Sequence, residues 1–476
     1  MFKNTIAALI AITFSIVVSA QDKWSLMKCV QYAIDNNISV KQADLQTRFA
    51  ALDLQQSKWS QQPFVNLNSN TGYSAGRNQD PVSFSLITTG YVFSQYSLQS
   101  SLELFNWFTK KNTVVVKDLN LQATKIGFDK AKDDIALNVA VGYLQVLLAK
   151  EQVNLSKITI EQTRSQLELT RKKVAAELLP EINAANLESV LATDSSNLIS
   201  AETNVQQLTL QLKALLNLDA GVSFDVEAPP VDQIPVESIA DLQPEAVYQL
   251  ALANRPQQKV DDLNLRAALK NVEVARGSMY PTISLFGSLG ASYNNKSKKI
   301  TSRTQINPAI GKVNVNGTDY TVYPNIPYDQ PVYGNFSYFD QLNQNFRQSI
   351  GLSISVPILN GGNARAGYQR AKLSVTQVEL QKQQNSLTLK QDIYRAYNDA
   401  TAAVQKFNAN KKAVETSQRA YDYAVKRYDV GLLSTFDLRT LQTTLLQSKA
   451  NLLYSQYDYV FKIKLLEFYK GQGIKL

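Results

Sequence analysis

Residues 391–430 read QDIYRAYNDATAAVQKFNANKKAVETSQRAYDYAVKRYDV, and within them Ile393, Ala400, Phe407, Val414, Tyr421 and Tyr428 recur every seven residues. A second stretch carries the same spacing at Val139, Val146, Val153, Ile160, Leu167 and Val174. A seven-residue apolar repeat keeps one stripe of an α-helix against its neighbours and winds the pair into a left-handed coil. Around both stretches the chain runs on without proline or paired glycine, which predicts helices over about 107–173 and about 363–427. At 1.5 Å per residue each is on the order of 100 Å long, too long for a globule. Each reverses at a short break, Glu177-Leu178-Leu179-Pro180 or Gly431-Leu432-Leu433-Ser434, into a second helix of about 35 residues. Helices starting near Trp24 and Pro244 are expected to run about 35 to 40 residues, so that two could stack end to end beside one long helix.

The two heptad stretches belong to an internal duplication. At a constant offset of 218, residues 32–74 match 250–292 without a gap, pairing Ala33 with Ala251, Asn36 with Asn254, Leu45 with Leu263, Pro63 with Pro281 and Gly72 with Gly290. At an offset of 254, Ser101 pairs with Ser355, Asn106 with Asn360, Tyr143 with Tyr397, Leu179 with Leu433 and Leu187 with Leu441. The offsets differ by 36, so the second copy holds an insertion of that size between Ser292 and Ser355. Its Asn, Tyr, Pro and Gly residues predict a polar surface loop over 293–345. The chain divides into a first repeat at 21–227, a linker at 228–243 around Pro229, Pro230 and Pro235, a second repeat at 244–471 and a tail at 472–476. Neither copy has a private core, so neither is expected to fold alone.

Beside each Pro63 or Pro281 break the period changes to two. Ile283, Leu285, Leu289, Ala291 and Tyr293 alternate with Ser284, Phe286, Ser288, Gly290 and Ser292. Ile350, Leu352, Ile354 and Val356 alternate with Ser349, Gly351, Ser353 and Ser355. These predict strands at about 282–293 and 346–356, with a weaker pair at about 64–74 and 91–105. One apolar and one small or polar face, over about ten residues, suits a tilted strand between lipid and water. Four strands cannot close a barrel, since the smallest known have about eight. Open edges are not tolerated in lipid, so several copies must share one barrel.

Composition excludes other classes. Met1, Phe2 and Lys3, the apolar run from Ile6 to Val18 and the end Val18-Ser19-Ala20 read as a signal peptide over 1–20. Gln21 rather than cysteine follows it, and the one cysteine, Cys29, falls within the first predicted helix as a buried thiol. Beyond residue 20 no apolar run is long enough for a membrane-spanning helix. The net charge of +9 is spread thinly along the helices, with no arginine and aromatic cluster to read nucleic acid. Histidine is absent, which removes the commonest general base and metal ligand.

The opening Trp24-Ser25-Leu26 through Tyr32-Ala33 and Asn36-Asn37, the duplicated helix and hairpin plan, Val356-Pro357-Ile358-Leu359 before the second long helix and Tyr428-Asp429-Val430-Gly431 at its tip resemble the TolC family of outer membrane efflux proteins. The resemblance covers essentially the whole mature chain. It implies a homotrimer in the Gram-negative outer membrane, with a twelve-stranded β-barrel on a twelve-helix periplasmic α-barrel. It implies a passive exit duct for small molecules or drugs in a tripartite efflux or type I secretion system, with no reaction and no cofactor. The implied partners are a periplasmic adaptor (membrane fusion protein), an inner membrane pump of RND or ABC type, and outer membrane lipid. It assigns Tyr428, Asp437, Thr440 and Asn183 to a periplasmic gate. The tips Leu178, Leu179, Gly431, Leu432, Leu433 and Ser434 become adaptor contacts. Leu432 and Leu433 stand where the family has Thr and Arg, Thr440 replaces the second acidic residue, and Asn183 takes the acidic position of the first tip. Apolar packing of Leu432 and Leu433, with a hydrogen bond from Tyr428, is the expected substitute for a charged lock.

A structural coiled-coil or adhesin-like envelope protein would use the same heptads. It leaves the two lipid-patterned hairpins without a purpose. An enzyme needs convergent polar groups, and here the acidic residues scatter along helices.

Overall fold

The computed structural model describes residues 23–80, 84–228, 234 and 236–471. The signal peptide, the tail at 472–476 and most of the proline-rich part of the linker lie outside them. In chain order the elements are α1 (Leu26–Asn36), α2 (Ile38–Trp59), β1 (Phe64–Gln79), β2 (Leu86–Phe105), α3 (Thr109–Ala175), α4 (Ile182–Leu216), α5 (Pro244–Asn254) and α6 (Pro256–Gly277). There follow β3 (Thr282–Asn294), β4 (Lys298–Ile306), β5 (Gly311–Val315), β6 (Thr318–Val322), β7 (Tyr328–Asn335), α7 (Tyr338–Gln344), β8 (Arg347–Ser355), α8 (Asn363–Asp429) and α9 (Thr435–Lys470).

The duplication is visible in the element boundaries. At the offset of 218, Leu26 and Asn36 fall on Pro244 and Asn254; at 254, Thr109 and Ala175 fall on Asn363 and Asp429. Both long helices have 67 residues. Even the caps repeat, since Asn217 and Gly471 both take the left-handed conformation that ends a helix.

The single helices expected from Trp24 and Pro244 are each broken into two, of 11 and 22 residues. Arg255 precedes Pro256, whose ring excludes the α region from its neighbour, and it is extended at ψ 132°. Asn37, its counterpart, has no following proline and reaches the same conformation, ψ 135°, through its side chain. Its Oδ1 accepts from the Ser39 N–H and its Nδ2 donates to the Leu215 carbonyl, both at 2.8 Å.

The chain forms two compact units, and both draw on both repeats, so the units cut across the sequence division at the linker. Among the described residues, one covers 23–52, 117–268 and 373–471. Its two main cores are copies of each other. Cys29, Ala33, Val139, Val146, Leu212 and Leu216 join α1, α3 and α4. Val247, Ala251, Ile393, Ala400, Ile463 and Leu466 join α5, α8 and α9. Every heptad position named above is buried or half-buried. Tyr143 fastens the first core: its hydroxyl donates to the Glu227 carbonyl and lies 3.0 Å from that of Trp24. Side by side run α2, α3, α6 and α8. The joins are Thr47 to the Thr124 carbonyl, Leu119 and Ala123 against Leu263 and Ala267, and Asn385 to the Asp261 carboxylate.

The other unit comprises Asp53–Val116 and Leu269–Lys372. It holds an antiparallel sheet of order β1-β2-β3-β8. The register puts Leu67, Leu98 and Leu289 in line, and likewise Leu102, Leu285 and Leu352, on one face. Asn66, Gln99, Ser288 and Ser349 line up on the other. The first hairpin outruns the expected limits near 74 and 91. Ala75 to Gln79 lack alternation but pair in register with Gly90 to Leu86, which keeps their backbone groups bonded. Between β3 and β8 the expected loop over 293–345 is corrected: β4 pairs with β7, β5 pairs with β6, and α7 follows. Asn316 and Gly317 have φ of 50° and 84°, the two-residue turn whose twist matches a hairpin.

Candidate functional site

Each long helix ends in the same reversal. The N–H of Leu178 bonds the Lys173 carbonyl and that of Glu177 the Val174 carbonyl. At the second tip the N–H of Leu432 bonds the Arg427 carbonyl and that of Gly431 the Tyr428 carbonyl. Both are Schellman turns with a left-handed residue, Glu177 at φ 58° and Gly431 at φ 74°. The leucine pairs of the two tips are split: Leu178 is 72% and Leu432 68% exposed, while Leu179 and Leu433 are half-buried. Ser434 caps α9 by accepting from the Asp437 N–H at 3.0 Å, and its hydroxyl donates to the Asp437 carboxylate at 2.7 Å. Asp437 is exposed in the first turn of α9, where the helix dipole favours a carboxylate.

The four expected gate residues do not form one cluster. Asn183 and Thr440 line one cavity of about 590 Å³ with Asn186, Leu187, Phe436 and Arg439. Asp437 and Tyr428 lie outside that lining. The Tyr428 hydroxyl accepts a hydrogen bond from Lys173 Nζ at 2.7 Å, and the ammonium lies 4.4 Å from the ring centroid. This joins the C-terminal ends of α3 and α8 through a cation and an aromatic face.

A charged link joins the helices ten residues before Lys173 on α3. Arg439 on α9 donates to Thr163 Oγ1 on α3 at 2.8 Å and reaches the Asp194 carboxylate on α4 at 3.3 Å. Thr163 in turn donates to Asp194 at 2.6 Å. The arginine and aspartate side chains are only 17% and 15% exposed, so one guanidinium ties the second repeat to both helices of the first. On the same stretch of α3, Gln162 Oε1, Gln166 Nε2 and Thr170 Oγ1 are buried with no hydrogen-bond partner among the described residues. Sequence reading passed over Arg439, Asp194, Thr163 and Lys173. The duplication held the signal: at the offset of 254, Thr163 and Asp194 fall on Ser417 and Ser448, which share a hydroxyl hydrogen bond at 3.1 Å. A charge in one copy against a serine in the other marks an asymmetric role.

Among the described residues no group of acidic residues or cysteine could hold a metal ion, and no helix is long and apolar enough to cross a membrane. What the tips offer instead is two apolar knobs on paired turns, beside polar, charge-linked helices.

The protein-family model described as outer membrane efflux protein matches residues 29–218 and 247–467, one segment per repeat. The outer membrane protein TolC of Escherichia coli is 21% identical over 463 residues, 96% of this chain and 84% of that protein. Toxin and drug export protein A of Aggregatibacter actinomycetemcomitans is 22% identical over 76% of this chain and 69% of its own length. Among solved structures, CusC superposes with a TM-score of 0.75 at 16% identity, covering 95% of this chain and 93% of that one. VceC of Vibrio cholerae does so with 0.73 at 16% identity, covering 94% and 97%. With the match spanning both repeats, the chain belongs to the outer membrane efflux protein family, channel proteins of the Gram-negative outer membrane.

Proposed function

We propose that three copies of this chain close into one passive duct, through which an inner membrane pump, joined by a periplasmic adaptor, expels small molecules. The observation that carries this reading is that both units have two unfinished sides. Among the described residues, β1 and β8 stand at the two ends of the sheet with no further strand beside them, and such edges in lipid must pair with another copy. In the helix row, the outer members carry exposed stripes at heptad spacing: Ile38, Leu45 and Leu52 on α2, and Leu373, Leu380, Leu387 and Tyr394 on α8. One stripe fits the other only in a second copy, so the contact is head to tail and closes a ring. Four strands per copy make twelve in a trimer, within the range of membrane barrels. The polar face, with Asn66, Gln99 and Ser288, then lines water, and the leucine face meets lipid.

In this reading Asp437, Asn183, Thr440 and Tyr428 lie near the tunnel's periplasmic mouth, and Leu178 and Leu432 are the knobs the adaptor grips. The test is the protein extracted in mild detergent and reconstituted in a planar bilayer. A mass of three chains and discrete conductance steps are expected; folded monomer without channel events would overturn the duct and return the chain to a structural envelope role.

A further inference from the structure

The apolar face of the sheet ends in aromatic rings. Tyr73 on β1, Tyr96 on β2 and Tyr293 on β3 share that face, since Tyr96 opposes Ala291 and Ser69, while Tyr293 opposes Ser94. Ten residue steps separate Ile283 from Tyr293; at about 3.4 Å each and a tilt of about 40°, that is about 26 Å along a barrel axis. At the Ile283 end a second group gathers, with Trp107 4.7 Å from Tyr280 and 5.4 Å from Phe105 between ring centroids. Two aromatic rows about 25 Å apart are the girdles that bound the apolar band of an outer membrane barrel.

At the upper row the lipid-side face turns polar. Thr71 Oγ1 donates to Ser94 at 3.1 Å, beside Ser69. Bare hydroxyls against hydrocarbon are costly, yet Ser94 is buried. The cover is α7. The Tyr338 ring lies tilted at 52° against that of Tyr293, 4.6 Å between centroids, and its hydroxyl shares a 2.8 Å hydrogen bond with that of Tyr96. Gln341, fully buried, accepts from the Asn294 N–H and donates to the Phe336 carbonyl, both at 3.0 Å. Asn345 donates to the Ser292 carbonyl at 2.8 Å. The helix is thus clamped on the lipid side of the sheet at the level where hydrocarbon gives way to headgroups. From there Phe339 projects, 80% exposed, its ring edge-on to that of Tyr338 at 5.5 Å between centroids.

We propose that α7 is an interfacial anchor, sealing the polar end of the lipid-facing sheet surface and seating Phe339 in the headgroup boundary of the outer leaflet. The continuity of α7 with the leucine face, at the height of one bilayer, commits the occupant to lipid. The insertion of the second repeat alone supplies it, so a trimer carries three such anchors. This rests on the sheet being a barrel segment. Phe339 is so exposed that replacing it removes few contacts, and buried Cys29 leaves an introduced thiol as the one to label. The protein with Phe339→Cys, Leu352→Cys or Tyr320→Cys is nitroxide-labelled and reconstituted in vesicles of phosphatidylethanolamine and phosphatidylglycerol. Collisions with oxygen, which concentrates in hydrocarbon, are compared with those of a water-soluble nickel chelate. The oxygen-to-chelate ratio at 339 should be several times that at 320, on the distal hairpin, and below that at 352, inside the apolar band. A ratio at 339 equal to that at 320, with 352 in lipid, overturns the anchor alone; a low ratio at 352 as well overturns the barrel reading beneath it.

Discussion

Among single residues, Cys29 and Glu177 show how position alone sets behaviour. Burial in the first core pushes the Cys29 thiol up to about 12, well above its ordinary value. At pH 8 it therefore carries almost no thiolate, the form that reacts. Native protein in detergent should resist iodoacetamide at pH 8 and take up one equivalent after unfolding, as read by mass; rapid native labelling would mean that the core opens. Glu177 sits in the left-handed turn that Gly431 fills in the other repeat. A side chain there costs about 1 kcal/mol relative to glycine. Glu177→Gly should raise the unfolding free energy and Gly431→Ala lower it, each by about 1 kcal/mol, and the thermal midpoints should move in the same opposite directions; equal and opposite shifts are the signature of turn strain. Gly431 was legible as a turn residue because glycine advertises the conformation. Glu177 was not, since no property of glutamate announces a positive φ.

The helices were the most legible elements, because a heptad pattern held over 36 residues in each copy outweighs any local accident. Their breaks were not: Asn37 interrupts a periodic run through two side-chain hydrogen bonds that leave no trace in hydrophobicity. The 293–345 segment failed for another reason. Its hairpins are exposed on both faces, so no strong alternation betrays them, although Asn316-Gly317 is the residue pair a tight hairpin needs. The candidate site was read through its repeat partners and missed what the copies do not share. The link among Arg439, Asp194 and Thr163 is the chief example. Removing one member of a largely buried ion pair leaves the other uncompensated, at about 3 kcal/mol or more, whereas replacing both with apolar residues is often near neutral. Arg439→Leu or Asp194→Leu alone should lower stability by about that much, and the double replacement should recover most of it. Equal, additive losses in the cycle would mean the two side chains act independently. Because the pair is shielded, high salt should loosen it little.

For the whole molecule, the row of helices and the sheet each stop at an edge that this chain cannot finish. The β8 to β1 edge is a matter of backbone bonding, but the helical seam can be tested with side chains. Leu380 and Leu387 are 60% and 59% exposed in a single chain. Substitutions at such positions ordinarily change the stability of a monomer by no more than about 0.5 kcal/mol. Against the α2 stripe of a second copy the same side chains would be buried, and a carboxylate placed there would be desolvated against Leu45 and Leu52 at a cost of several kcal/mol per copy. Leu380→Glu with Leu387→Glu should therefore leave the helical circular dichroism and the Cys29 protection unchanged while shifting the detergent-extracted mass from three chains to one. Adding Leu45→Lys and Leu52→Lys should restore part of the trimer, since the new ammonium groups would meet the new carboxylates across the seam and nowhere within the chain. A doubly acidic variant that stays trimeric would mean that α8 faces the tunnel or the periplasm instead, and that the sheet edges alone hold the ring together.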